Sequence, residues 1–369
     1  MFRNYKIRNY DFKLVLTVIA LTVIGILAIG STRESLQERQ IVGFAFGLFL
    51  MLVISLFDYS VILYFYWLIY IVNLVLLVLV IVMGNLVKGA QRWVEIAGVQ
   101  FQPSETAKIL LILFFAQYIM KHKEKLNTFK YISLCCILFA IPLGLIYLQP
   151  DLSTSIVMIM LFCVIMFVGG LSWKVIAGVF AVVIPAAVIF LTIILQPDQQ
   201  LIDEYQQKRI LAFLNQEEYS LAEGYQQENS VMAIGSGQLY GKGYKNNLIS
   251  SVKNANFIAE QQNDFIFSVI GEEFGFIGSC LVIVLLIFVI IECMIIARRA
   301  KDLAGTIIAA SIGAIIGFQG FINIGVATHL LPNTGLQLPF ISYGLTSLVS
   351  SYIGIGFVLN VGLQREYKS

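Results

Sequence analysis

Residues 12–30 read FKLVLTVIALTVIGILAIG, nineteen positions with one charge, Lys13. A bilayer core of roughly 30 Å takes about 20 apolar residues of helix, so this stretch predicts a membrane span. Working outward, nine more stretches reach or approach that length: 41–57, 60–83, 104–120, 131–148, 152–170, 174–195, 265–296, 304–328 and 343–363. Ser31-Thr32-Arg33-Glu34 follows the first stretch where a small-residue cleavage site would stand, which favours a span over a signal peptide. The composition agrees: 59% of the 369 residues are hydrophobic and 12% charged, about half the charge of a soluble domain. Soluble, fibrous and disulfide-stapled classes are excluded, and nothing points to a nucleic-acid partner.

Charge placement orients the chain. With the N-terminus inside, one side collects fourteen Lys and Arg: Arg3, Lys6, Arg8, Lys13, Lys121, Lys123, Lys125, Lys130, Lys174, Arg298, Arg299, Lys301, Arg365 and Lys368. The short loops of the other side hold Arg33, Arg39, Lys88 and Arg92. Basic residues near span ends resist translocation, so both termini are expected in the cytoplasm. The chain reads as one all-α, polytopic membrane domain, 1–369, with about ten transmembrane helices. Two polar connections lie on the outer side, 84–103 and the much longer 196–263. In the latter, Glu204 to Leu214 and Glu228 to Ile234 have the spacing of short surface helices.

Cys135, Cys136, Cys163, Cys280 and Cys293 all fall in apolar segments without metal-ligand spacing and read as packing residues. His122 and His329 fall on opposite sides, which disfavours a histidine-based site. The stretch Gly235-Ser236-Gly237-Gln238-Leu239-Tyr240-Gly241-Lys242-Gly243 fails the phosphate-loop template at Ser236 and Gly243 and the dinucleotide template at Tyr240; it is expected to be a turn between short helices.

Ionisable groups at membrane depth are costly and tend to face cavities. Glu105 and Lys108 open the fourth span at a spacing that lets them pair. Asp151 opens the sixth and Asp264 the eighth, with Glu272 and Glu273 further in. Helix capping is the plain reading of both aspartates, and a structural pair that of Glu105 with Lys108. Glu272 and Glu273 read as packing or interfacial residues. Yet all four leading candidates map to outer ends of spans, and Arg92, Trp93, Lys208 and Arg209 lie on the same side. Carboxylates mixed with Lys and Arg at that face suit a pyrophosphate-bearing lipid headgroup, with a carboxylate left for acid–base work.

Seven motifs in order then resemble the SEDS family, which includes the rod-shape protein RodA, the division protein FtsW and sporulation relatives. They are Lys88-Gly89-Ala90-Gln91-Arg92-Trp93, Phe101-Gln102-Pro103-Ser104-Glu105 with Ala107-Lys108, Gln149-Pro150-Asp151-Leu152, Gly224-Tyr225-Gln226, Ala233-Ile234-Gly235-Ser236-Gly237 with Gly241-Lys242-Gly243, Asp264-Phe265-Ile266-Phe267 with Glu272-Glu273, and Leu338-Pro339-Phe340-Ile341-Ser342-Tyr343-Gly344. The Gly-Lys-Gly stretch and Gln207-Lys208-Arg209-Ile210-Leu211-Ala212-Phe213-Leu214 look most like the RodA branch.

The resemblance implies a peptidoglycan glycosyltransferase that polymerises lipid II, an undecaprenyl-pyrophosphate-linked disaccharide-pentapeptide, at the outer face of the bacterial plasma membrane during elongation. It implies a class B penicillin-binding protein and other elongation-complex proteins as partners. Asp264 matches the family's essential carboxylate. Arg92, Trp93, Glu105, Lys108, Asp151, Arg209, Glu260 and Ser342 are carried over as substrate-binding residues, and a divalent cation, Mg or Mn, is a candidate for sharing the pyrophosphate charge. Two departures stand out: Ala259-Glu260-Gln261-Gln262-Asn263 replaces the family's usual Pro-Glu and His-Thr pair before the aspartate, and Leu345 stands where a second glycine is usual. A lipid II flippase and a non-catalytic scaffold for the penicillin-binding protein are the rival readings. Charges clustered at one face disfavour the first, and retained buried charge disfavours the second.

Overall fold

A computed structural model describes residues 9–87, 90–96, 99–196, 207, 210–211, 213–214, 224–245, 258 and 261–364. The expected spans are helices: α1 (Phe12–Thr32), α2 (Glu34–Leu56), α3 (Tyr59–Tyr64) with α4 (Tyr66–Met83), α5 (Pro103–His122), α6 (Phe129–Tyr147), α7 (Leu152–Val168), α8 (Trp173–Ile194), a short α9 (Tyr225–Ser236), then α10 (Ile266–Arg298), α11 (Leu303–Ala327) and α12 (Leu345–Leu363). Among the described residues, seven helices are long and apolar enough to cross a membrane: α1, α2, α4, α6, α10, α11 and α12. The polar opening of α5 sets it apart from that group, and α7 is apolar but shorter.

Three details differ from the sequence reading. The third span is broken at Phe65, and its first turn starts where the Asp58 carboxylate accepts from the Ser60 N–H at 2.8 Å. The connection expected to be merely polar contains a three-stranded antiparallel sheet, β1 (Asn85–Val87), β2 (Ala90–Ile96) and β3 (Val99–Phe101). Its signal was the alternation around Val94, which is buried, and Glu95, which is exposed.

The third concerns the glycine-rich stretch, which is a graft onto α10 more than a simple turn. Gly275 sits at φ 64° and interrupts that helix. A regular helix would pair the N–H groups of Phe276 and Ile277 with the carbonyls of Glu272 and Glu273. Instead Phe276 donates to Gln238 O at 2.8 Å and Ile277 to Leu239 O at 3.3 Å. Glu272 O accepts from the Lys242 N–H at 2.8 Å and Glu273 O from that of Gly243 at 3.1 Å. All four groups freed by the kink are thus satisfied by one loop, as buried backbone requires. The Lys242 ammonium adds a 2.8 Å ion pair with Glu272, and the Ser31 hydroxyl donates to Glu273. Both glutamates are buried and serve this junction. Beyond it, Lys245 lies 2.5 Å from Glu34 at the start of α2, and accepting that hydrogen bond the carboxylate holds the Lys245 ammonium above its ordinary value.

Of the long connection, α9 covers the expected Glu228 to Ile234 helix, and the described residues of the other segment, Gln207, Ile210, Leu211, Phe213 and Leu214, are helical. Cys135 and Cys293 are buried, Cys280 is half-buried, and Cys136 and Cys163 lie on the exposed apolar surface. The buried core is centred on α11 and α12, which are covered for most of their length. The sheet, the starts of α5, α7, α10 and α12 and the end of α11 share one end of the bundle, called the sheet end below.

Candidate active site at the sheet end

The Glu105–Lys108 pair is built by the opening of α5. Pro103 takes the first helical position, where its missing N–H costs nothing, and Glu105 stands in the first turn, where a carboxylate suits the positive end of the helix. Lys108, one turn on, donates from Nζ to Glu105 Oε1 at 2.7 Å, and only 2% of the lysine is exposed. Together with Ile312, Ile315, Ile316 and Gln319 of α11 and Ser350, Ser351 and Gly354 of α12, the pair lines a small cavity inside the bundle. Lys108 spends one of its three donor hydrogens on Glu105. The cavity therefore presents a cation and a carboxylate in enclosed surroundings, where charges interact more strongly than in water.

A second pair joins the sheet to α7. The Arg92 guanidinium donates from Nε to Gln149 O at 3.2 Å and from Nη2 to Pro150 O, and its Nη1 lies 3.7 Å from Asp151 Oδ1. Asp151 also caps α7, accepting from the Thr154 N–H at 3.1 Å, so the capping reading holds and the carboxylate is paired as well. Gln149 is anchored in turn to Leu77 O of α4 at 3.1 Å. Trp93, next to Arg92 on β2, faces the other side of the sheet with Glu95, since side chains alternate along a strand; it pairs in register with Asn85.

Asp264 stands differently from the capping expectation. The cap position of α10 is Phe265, which makes no side-chain cap bond, and Asp264 sits one residue earlier in a tight turn, half-buried. The carbonyls of three consecutive residues in that turn are each held from outside it. Gln262 O accepts from the Tyr343 N–H at 2.8 Å, Asn263 O from the Ser342 hydroxyl at 2.6 Å, and Asp264 O from Asn323 Nδ2 at 2.8 Å. Ser342, grouped above with substrate-binding residues, thus has its hydroxyl committed inside the protein: it also accepts from the Leu338 N–H at 2.8 Å.

These pieces form one ring at the sheet end. Ser153 of α7 donates to Thr334 O at 2.5 Å, tying the Arg92–Asp151 region to the 328–344 loop. That loop holds the Asp264 turn and runs into α12, whose Thr346 hydroxyl donates to Gln100 O of β3 and accepts from the Gln102 N–H, both at 3.2 Å, beside the start of α5. Arg209 and Glu260 lie outside the described residues. Among the described residues, no three His, Cys, Asp or Glu side chains gather in a way that could hold a metal ion. Sequence reading missed Asn323 and Gln319; their signal was two polar residues four apart in the apolar ninth span, hence on one helix face.

The model of the FtsW/RodA/SpoVE family of cell cycle proteins matches residues 9–367. The chain is 34% identical over 366 residues, covering 98% of it and 95% of the relative, to the peptidoglycan glycosyltransferase MrdB of Escherichia coli K12. It is 32% identical over 373 residues, 96% and 93% of the two chains, to the probable peptidoglycan glycosyltransferase FtsW of Wigglesworthia glossinidia brevipalpis. Among solved structures, it superposes with TM-score 0.80 at 29% identity, covering 98% and 99% of the two chains, on a chain from work on the structural coordination of polymerization and crosslinking by a peptidoglycan synthase complex. It superposes with TM-score 0.70 at 28% identity, covering 98% of each chain, on the crystal structure of the rod-shape-determining protein RodA of Thermus thermophilus.

Proposed function

The chain belongs to the FtsW/RodA/SpoVE family and is a multi-pass membrane peptidoglycan glycosyltransferase, and we propose that it polymerises lipid II at the outer membrane face, with Asp264 as general base. The observation that carries this reading is the Asp264 turn: a half-buried carboxylate on backbone anchored at three consecutive carbonyls, in a ring that also bears two cation–carboxylate pairs.

The reaction joins the acceptor sugar's 4-hydroxyl to the anomeric carbon of the donor. As the new C–O bond forms, the hydroxyl proton passes to Asp264. The bond between the anomeric carbon and the pyrophosphate oxygen breaks, and its electron pair leaves on undecaprenyl pyrophosphate. Attack opposite the leaving group inverts the centre, so an α-linked donor gives a β-linked strand. Lys108 and Arg92, with Arg209, balance the charge that grows on the pyrophosphate. A magnesium or manganese ion arriving with that group would need only one or two protein carboxylates beside the phosphate oxygens. No step above depends on it.

Lys and Arg placement supports both termini in the cytoplasm, which puts the sheet end outside, where lipid II is presented. Similarity to a chain of a synthase complex that couples polymerization to crosslinking supports a class B penicillin-binding protein as partner. Incubating the detergent-solubilised chain and that partner with labelled lipid II tests the reading. Glycan ladders on a gel are expected; their absence, with lipid II instead moved across vesicle membranes, would favour the flippase.

A further inference from the structure

We propose that Asn323 and Ser342 are positioning residues for the Asp264 carboxylate, an inference that rests on Asp264 acting as the base. A turn lacks the repeating backbone pairs of a helix, so its carbonyls need partners from elsewhere, and a carboxylate carried on it is only as well placed as those partners make it. Two of the three donors holding the 262–264 carbonyls are side chains, and both have no freedom to donate elsewhere.

Asn323 is 1% exposed and sits on α11, four residues before the helix ends. Its Nδ2 spends both hydrogens, one on Asp264 O at 2.8 Å and one on Leu336 O at 2.7 Å. Two carbonyls around that atom also fix which end of the amide is nitrogen. It therefore staples the Asp264 turn and the 328–344 loop to a rigid helix. The Ser342 hydroxyl accepts from the Leu338 N–H, which leaves its own hydrogen for Asn263 O. Gln40 of α2 donates to Ser342 O at 3.2 Å and keeps this residue in place. The two contacts restrain adjacent peptide units, one on each side of the Asp264 Cα.

Neither side chain needs to touch substrate for this. Their effect falls on the geometry of proton removal, where a displacement near 1 Å costs on the order of 100-fold. The rate of the chemical step should fall while lipid II binding stays intact.

The test measures kcat and KM for lipid II polymerisation by the full chain with its penicillin-binding partner, alongside unfolding temperature in detergent. Asn323→Asp keeps the shape of the side chain but turns an acceptor toward two carbonyls; Ser342→Ala removes the hydroxyl; Ser342→Thr restores it. Expected is a fall in kcat on the order of 10- to 100-fold for the first two, with KM within about twofold and the chain still folded at the assay temperature although its unfolding temperature is lowered, and most activity back in Ser342→Thr. Should Asn323→Asp fail to fold, the Ser342 pair decides. Native kcat in Ser342→Ala and Asn323→Asp, or a loss carried by KM alone, would overturn the proposal. Asp264→Asn is the control: if it polymerises normally, the reading of Asp264 as base falls; if it is dead while both positioning variants are fully active, this proposal alone falls.

Discussion

Lys108 Nζ donates to Glu105 Oε1 at 2.7 Å, one turn apart on α5, with both side chains almost wholly enclosed. Removing one partner of such a pair strands a buried charge, whereas removing both does not. Lys108→Met and Glu105→Gln should therefore each destabilise the chain by about 3–5 kcal/mol, and the double variant by less than either single one. Thermal unfolding in detergent checks the order, and polymerisation should be lost in all three because the cavity then lacks its cation or the carboxylate that orients it.

The Arg92 guanidinium serves three acceptors at the turn before α7: Gln149 O, Pro150 O and the Asp151 carboxylate. One ammonium cannot reproduce that fork. Arg92→Lys is expected to cost about 1–2 kcal/mol, roughly 5- to 30-fold in kcat/KM. Asp151→Asn is a different probe, since asparagine caps a helix as well as aspartate. Because the cap is kept and only the pairing with Arg92 is lost, its stability should fall by no more than about 1 kcal/mol, so a larger drop in glycan synthesis reports the charge and not the cap.

How far could the sequence be read? The apolar runs gave away the membrane helices because burial in lipid demands an uninterrupted apolar stretch, and the i,i+3 spacing of Glu105 and Lys108 announced their contact. What stayed hidden depends on tertiary partners. Nothing local in Gly237-Gln238-Leu239-Tyr240-Gly241-Lys242-Gly243 says that it will repair a kink at Gly275, because that requires two segments some thirty residues apart to meet. Likewise Asp264 looks like a cap until Phe265 is seen to hold that position. That the Ser342 hydroxyl holds Asn263 O stayed hidden because the contact spans 79 residues of sequence.

The graft at the kink makes its own prediction. A Cβ at Gly237 would lie 1.9 Å from Gly271 O, and one at Gly241, where φ is 81°, 2.1 Å from Glu273 O. Gly237→Ala and Gly241→Ala should each lose about 1–3 kcal/mol. Gly235, two residues before the first, is inside α9 with no atom within 4 Å of its would-be Cβ. Gly235→Ala should gain about 0.5–1 kcal/mol, which denaturation of the three variants side by side would reveal.

Orientation can be read in intact cells. Tyr240 beyond α9 and Lys123 after α5 are both exposed and belong to opposite ends of the bundle. In a chain whose native cysteines are replaced, a membrane-impermeant maleimide should label Tyr240→Cys without lysis and Lys123→Cys only after it. The reverse pattern would put the sheet end inside and remove the proposed site from its substrate.

The central claim is that Asp264 takes the proton from the attacking hydroxyl, and the most direct measurement compares native chain with Asp264→Asn in polymerisation of lipid II, each with the class B penicillin-binding partner and each shown to be equally folded. Ladders from the native chain and none from the variant are the predicted result. Ladders of equal length and yield from Asp264→Asn would contradict it, leaving Asp264 as a residue of the turn and the base to be found at another carboxylate.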